Sequence, residues 1–234
     1  MNQNLQRALV AELIGTFALV FAGAGAIMVD DKTHALGHVG VAITFGLVIM
    51  VMIYAVGHVS GAHFNPAVSF AFALTRHFPW SRVAAYWLAQ AAGALLAAAI
   101  LRSSLGNHAH VGATLPAGSQ GQSFLWEVVL TFFLMFVIMA VATDTRAVGE
   151  AAAIAIGGTV GLDAMFGGPI SGASMNPARS LGPALISGDL HALWLYIAAP
   201  LVGAALGALA YQFVRAEQSR AAEIHEVDAA EEAA

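Results

Sequence analysis

The chain has 234 residues, of which 59% are hydrophobic and only 10% charged, and its mean hydropathy is +0.76. Soluble domains are roughly 45–50% apolar and about 25% charged. A soluble protein is therefore excluded, a net charge of −5 leaves no basic surface for nucleic acid, and the absence of cysteine excludes disulfides and thiol chemistry.

The first apolar run, Leu9 to Val29, carries Glu12 and has only Arg7 as a basic flank. It is too long for the apolar core of a cleavable signal and reads as a retained membrane helix over about 5–28. Five further runs, near 38–57, 80–102, 123–143, 150–168 and 191–214, also reach the roughly 20 residues that cross a hydrocarbon core of about 30 Å. Two shorter runs do not. One follows Asn65 and ends near Arg76, and the other follows Asn176 and ends near Ser187. Each supports roughly 16 Å of helix, half a bilayer. Both open with Asn then Pro: Asn is a strong N-cap, and Pro suits a first helical position whose N–H has no partner anyway. From residue 215 the chain is rich in Ala and Glu and reads as an acidic tail, a frayed helix or disordered.

The chain repeats itself. Glu12, Thr16 and Phe17 recur as Glu127, Thr131 and Phe132, and Ser-Gly-Ala before Asn65-Pro66-Ala67 recurs before Asn176-Pro177-Ala178. Three crossings per half, over about 5–102 and 123–214, place the second half upside down relative to the first. The expected fold is an all-α membrane protein of six transmembrane helices plus two re-entrant half-helices in an inverted repeat, whose site lies where the broken helices meet. With both termini cytoplasmic, Arg7, Arg76, Arg82, Arg146, Arg215 and Arg220 fall inside, against Lys32 and Arg102 outside.

Irregular backbone at membrane depth must be buried or line a wet cavity. The loops 57–64 and 167–175 are the candidates, with carbonyls available as a ladder of acceptors. Half-helices starting at Asn65 and Asn176 face their positive dipole ends toward each other, and each side-chain amide can donate to a passing oxygen. Arg179 is the one strongly basic residue inside the membrane, which marks it as functional.

The two Asn-Pro-Ala triplets, their Ser-Gly-Ala flanks and the duplicated Glu-x-x-x-Thr-Phe resemble the aquaporin, or major intrinsic protein, family over nearly the whole chain. The stretch 166–184 looks closest to the nodulin-26-like branch. The resemblance implies a channel domain over 1–214 that passes water and small uncharged solutes, excludes protons and ions, is not an enzyme, needs no cofactor or metal, and sits as a homotetramer in the plasma (inner) membrane. Pore diameter, donors, an Arg and half-helix dipoles are the known account of such pores. It assigns Asn65, Pro66, Ala67, Asn176, Pro177 and Ala178 to the midplane. It assigns backbone carbonyls of Gly61, Ala62, His63, Ser171 and Gly172 to the pore wall, and Glu12 and Glu127 to holding the loops from behind.

Matching the family by spacing from the triplets puts the outer constriction at Phe45, Ala164, Ala173 and Arg179. Strict water channels usually carry His where this chain has Ala164, which argues for a wider pore admitting glycerol and metalloid acids such as arsenite. Classical glycerol channels usually carry Asp where this chain has Ser180, so a strict water channel stays open as the alternative. Asp163 adjoins the filter position but is turned about 100° from it and has no assigned role. Small residues four apart, Ala89/Gly93, Gly157/Gly161 and Gly203/Gly207, favour close helix approach. The nine His residues show no metal-binding spacing, and His63 is expected to pack its loop. A secondary transporter is the remote alternative, with Glu12, Glu127 and Asp163 as its only candidate carboxylates. An adhesive or junctional membrane protein is the other rival, favoured only by a closed pore.

Overall fold

A computed structural model describes residues 3–143 and 151–232, with side chains through 215. Arg146, Arg220 and the acidic side chains of the tail lie outside the described set. The elements are α1 (Gln3–Thr33), α2 (Gly37–Ser60), α3 (Pro66–Leu74), α4 (Trp80–Leu105), the single turn α5 (Ala109–Gly112), α6 (Gln120–Thr143), α7 (Ala152–Ser171), α8 (Pro177–Ser187) and α9 (Leu193–Glu232). Six of these, α1, α2, α4, α6, α7 and α9 as far as Arg215, are long and apolar enough to cross a membrane. The stretch from 216, expected as a frayed helix or disordered, is helical backbone that continues α9 through Glu232.

The half-helices are α3, of 9 residues, and α8, of 11. Asn65 Oδ1 accepts from Ala67 N at 2.9 Å, and Asn176 Oδ1 accepts from Ala178 N at 3.0 Å and Arg179 N at 3.2 Å. Each cap satisfies N–H groups that the first helical turn leaves without partners.

The irregular loops are shorter than 57–64 and 167–175. Helix α2 runs on to Ser60 and α7 to Ser171, with Pro169 inside its last turn. Both then stop at a left-handed glycine, Gly61 at φ 85° and Gly172 at φ 89°, whose N–H closes the last turn on Gly57 O and Gly168 O. In a membrane every backbone group needs a protein partner, so helix persists until a residue that tolerates positive φ ends it.

The two repeats pack alike. Helix α1 crosses α4, α6 crosses α9, and α2 lies against α7 across the repeat boundary. At the first two crossings a glycine meets backbone directly. A Cβ at Gly93 would run into Leu13 O, and one at Gly203 into Val128 O. At the third, a Cβ at Gly157 would sit 2.6 Å from Gly46 O. All three small-residue stripes are thus used within one chain.

Burial runs opposite to a soluble protein. Leu88 is 72% exposed and Phe213 68%, whereas Glu12, Glu127 and Gln90 are fully buried. The apolar outside faces lipid, and polar groups gather around the loops.

Gly203→Val is expected to destabilise the fold by about 1–3 kcal/mol or more through overpacking, while Gly158→Ala, whose Cβ meets nothing within 4 Å, leaves it unchanged. Thermal unfolding of the purified protein in detergent measures both.

Candidate functional site

Each loop is held by one buried carboxylate. Glu12 Oε1 accepts from Ser60 Oγ at 2.7 Å and His63 N at 2.9 Å, and Oε2 from Phe64 N at 2.7 Å and Gln90 Nε2 at 2.8 Å. Glu127 Oε1 accepts from Ser171 Oγ at 2.7 Å and Ser174 N at 2.8 Å, and Oε2 from Met175 N at 2.7 Å. Neither Glu has a basic partner within salt-bridge distance among the described residues. Four donors around Glu12 match the lone-pair sites of a carboxylate.

These bonds support a strained backbone. Ala62 (φ 50°), Phe64 (φ 49°), Ala173 (φ 41°) and Met175 (φ 53°) are all left-handed without being glycine, at matching positions of the two repeats. Each costs roughly 1–2 kcal/mol, and the charge-assisted bonds offset this. With the N–H groups drawn back to the glutamates, the loops are free to present carbonyls on their other side.

A cavity of about 310 Å³ runs along that side. Gly61, Ala62, His63 and Asn65 of the first repeat line it, and Ala173, Ser174, Met175, Asn176 and Arg179 of the second. Ser171 and Gly172 do not. The Ser171 carbonyl accepts from Tyr196 Oη at 2.5 Å, as Ser60 O does from Tyr86 Oη at 2.9 Å. The second loop therefore meets the cavity from Ala173 onward. Pro66, Ala67, Pro177 and Ala178 are buried behind it, and Trp87 Nε1 donates to Pro66 O at 3.0 Å.

The two asparagines also lock the loops together. Asn65 Nδ2 donates to Met175 O at 2.7 Å, and Asn176 Nδ2 to Phe64 O at 2.8 Å. An amide nitrogen carries two hydrogens, so each keeps one beyond this exchange, and both residues line the cavity.

Phe45, Ala164, Ala173 and Arg179 line the same cavity. The Arg179 guanidinium lies 5.1 Å from the Phe45 ring centre, within cation–π range. Its Nη1 donates to Gly112 O at 2.8 Å, while Nε and Nη2 are buried without a protein partner among the described residues. No carboxylate pairs with it among the described residues. Asp163 is buried, does not line the cavity, and leaves Oδ2 without a partner.

The Gly112 carbonyl comes from α5, which is a left-handed turn: Ala109, His110, Val111 and Gly112 have φ of 42°, 50°, 59° and 68°. A Cβ at Gly112 would stand 2.7 Å from Ala24 O, so backbone approach and positive φ both demand glycine there. Next to it Thr114 Oγ1 shares a hydrogen bond of 2.7 Å with Ser180 Oγ, which lies 2.5 Å from Ser174 Oγ. Ser180 thus fastens this segment to α8.

Several of these contacts escape a sequence reading. Gly112, Thr114, Tyr86, Tyr196 and Gln90 reach the site from other elements. The one available cue is the polar pair Tyr86 and Gln90, one turn apart in the mostly apolar middle of α4. His63 packs its loop, with Nδ1 2.9 Å from Ser69 Oγ and its ring against Phe72, Phe78 and Tyr86. No group of three metal-ligating side chains occurs among the described residues.

The model of the major intrinsic protein family matches residues 1–211. The chain belongs to this family. It is 55% identical to aquaporin NIP1-4 of Oryza sativa over 216 residues, covering 92% of this chain and 79% of that one. Nodulin-26 of Glycine max is 52% identical over 209 residues, covering 88% and 77%. Among solved structures, the aquaglyceroporin of Plasmodium falciparum superposes with a TM-score of 0.78 at 26% identity, covering 88% of this chain and 95% of that one. This major intrinsic protein is a membrane channel for water and small solutes, not an enzyme.

Glu127→Gln replaces one acceptor oxygen by an NH2 group that cannot accept from Met175 N or Ser174 N. A bond to a charged group contributes about 1.5–3 kcal/mol, so a drop in unfolding free energy of that order is expected. Water flux per folded channel should fall with it in stopped-flow vesicle assays.

Proposed function

We propose that the channel passes water and neutral solutes of glycerol size, including compact metalloid acids such as uncharged arsenite, and that it excludes ions and protons. The observation that carries the solute size is the outer ring. Two alanines, Ala164 and Ala173, and Phe45 line one cavity with Arg179, whose Nε and Nη2 have no protein partner among the described residues. A polyol needs donors for its hydroxyls and an apolar wall for its carbons, and this ring offers both. The similarity to the aquaglyceroporin of Plasmodium falciparum supports the same reading.

Exclusion rests on charge and on orientation. Arg179 and two half-helix N-termini put positive potential in the path of cations. The spare amide hydrogens of Asn65 and Asn176 turn a passing water's oxygen toward them, which interrupts a proton-conducting chain of waters. The carbonyls of Gly61, Ala62 and His63, and of the second loop from Ala173, act as acceptors along the rest of the path.

The reading extends to placement. The arginine bias puts both termini in the cytoplasm, and the bilayer is the plasma (inner) membrane. The channel domain is 1–214, followed by an acidic tail. The assembly is a homotetramer with one pore per subunit, an expectation carried by family membership, since the small-residue stripes are used within the chain.

Proteoliposomes test the solute claim. The unmodified channel should pass water, glycerol and arsenite, and Ala164→His should cut the two larger fluxes about tenfold or more, in line with the discrimination one added group gives in a tight site, while sparing most of the water flux. Water flux without either larger solute makes the pore a strict water channel limited by Phe45. Equal effects on all three remove Ala164 from the constriction. Mercuric chloride should leave water flux unchanged, because the chain holds no cysteine; thiol-reversible block would contradict this.

A further inference from the structure

Phe45 stands between α1 and the cavity that it lines, and its ring occupies a gap in α1. A Cβ at Gly23 would overlap Phe45 Cε1 and come within 2.5 Å of Cδ1 and Cζ. The same helix face repeats the arrangement two turns earlier, where a Cβ at Gly15 would overlap the ring of Phe64. Phe64 is the residue whose carbonyl receives Asn176 Nδ2. Helix α1 therefore seats two phenylalanines, one at the outer ring and one at the midplane.

The second repeat fills the corresponding places differently. In the register that pairs Glu12 with Glu127 and Ser60 with Ser171, Gly23 and Phe45 correspond to Ile138 and Ile156, and Gly15 and Phe64 to Leu130 and Met175. All four counterparts are buried, and Ile138, Ile156 and Met175 line the same cavity. One half uses a missing side chain plus a ring, where the other uses two aliphatic chains. A ring set back into a gap leaves the cavity open beside it. A ring pushed off the helix does not.

We infer that Gly23 is a positioning residue for solute selectivity: it seats the Phe45 ring back against α1 and so sets the open width opposite Arg179. This rests on the reading of Phe45 as a wall of the outer ring. Three ring atoms meet the position of the missing Cβ along one edge, so a methyl group there drives the ring edge-on away from α1. Regaining ordinary carbon contact near 3.5–4.0 Å takes a displacement of roughly 1 Å or more. Phe45 lines the cavity, which gives the ring open space to move into, and the guanidinium over the ring at 5.1 Å bounds the movement. In a pore wide enough for a polyol, a narrowing of that size matters little to a single file of water and much to the polyol; in a pore only as wide as water it obstructs water itself.

The experiment compares glycerol and water flux per channel in proteoliposomes for the unmodified protein, Gly23→Ala, Phe45→Leu and the double variant. Gly25→Ala is the control, since its Cβ meets Leu101 Cδ2 at 3.1 Å and faces α4. Gly23→Ala should lower the glycerol-to-water ratio about tenfold, the low end of what one methyl group discriminates in a tight site. The double variant should return to the ratio of Phe45→Leu alone, and the control should keep the unmodified ratio. An unchanged ratio in Gly23→Ala overturns the inference. So does a lowered ratio that Phe45→Leu fails to relieve, because Gly23 then acts through helix packing. If Gly23→Ala does not fold, recovery of a folded, conducting double variant supports the inference, and a double variant that also fails to fold overturns it. If the unmodified channel excludes glycerol, the wide-pore reading fails separately, and water flux becomes the readout: loss in Gly23→Ala with recovery in the double variant supports the inference, and no loss overturns it.

Discussion

The path depends on two buried carboxylates that form no salt bridge among the described residues. Glu12 and Glu127 each collect a serine hydroxyl and two consecutive backbone N–H groups from a loop that would otherwise have no reason to stay extended at membrane depth. Everything else in the path follows from that hold. The left-handed residues are tolerated because their N–H groups or their neighbours' have strong acceptors. The half-helices can start at Asn65 and Asn176 because the chain arrives in the right direction. The amides can then reach across to Met175 O and Phe64 O. A neutral acceptor would leave the same donors weakly satisfied in a medium that offers no water as a substitute.

The repeats are alike where they build the path and unlike where the path is read as selective. Val68 in the first repeat stands where Arg179 stands in the second, and both line the cavity. Glu12 takes a fourth bond from Gln90, four residues after Tyr86; four residues after Tyr196 is Pro200, which has no donor, and Glu127 has three bonds. The left-handed turn α5 has no counterpart serving the other end among the described residues, and it delivers the Gly112 carbonyl that fixes Arg179. The repeats share the loops that line the cavity, whereas Arg179 and the Gly112 carbonyl that it meets belong to one end alone among the described residues.

How much of this was readable in the sequence depends on whether local chemistry or a distant partner decides it. The six crossings and two half-helices were legible because hydrophobic length and an Asn-Pro start are local facts. The placement of Phe45, Ala164, Ala173 and Arg179 in one cavity was reachable only through the family resemblance, by matching the family's spacing from the triplets. The ends of α2 and α7 were not, because Gly57, Gly167, Gly168 and Pro169 all suggest an earlier stop, and the membrane's demand for paired backbone overrides them. Nothing in Ala109-His110-Val111 announces a left-handed turn, and propensity argues against it for a β-branched residue. Its cause is tertiary: Val111 is fully buried, and the Gly112 carbonyl has Arg179 to receive.

The central claim is that one conduit admits water while its midplane amides and half-helix dipoles break the proton path. Water and proton fluxes measured on the same proteoliposome preparation test it most directly. The account predicts rapid osmotic shrinkage that scales with the amount of channel, with an imposed pH gradient decaying no faster than in protein-free vesicles. Proton flux that rises in step with water flux would contradict it.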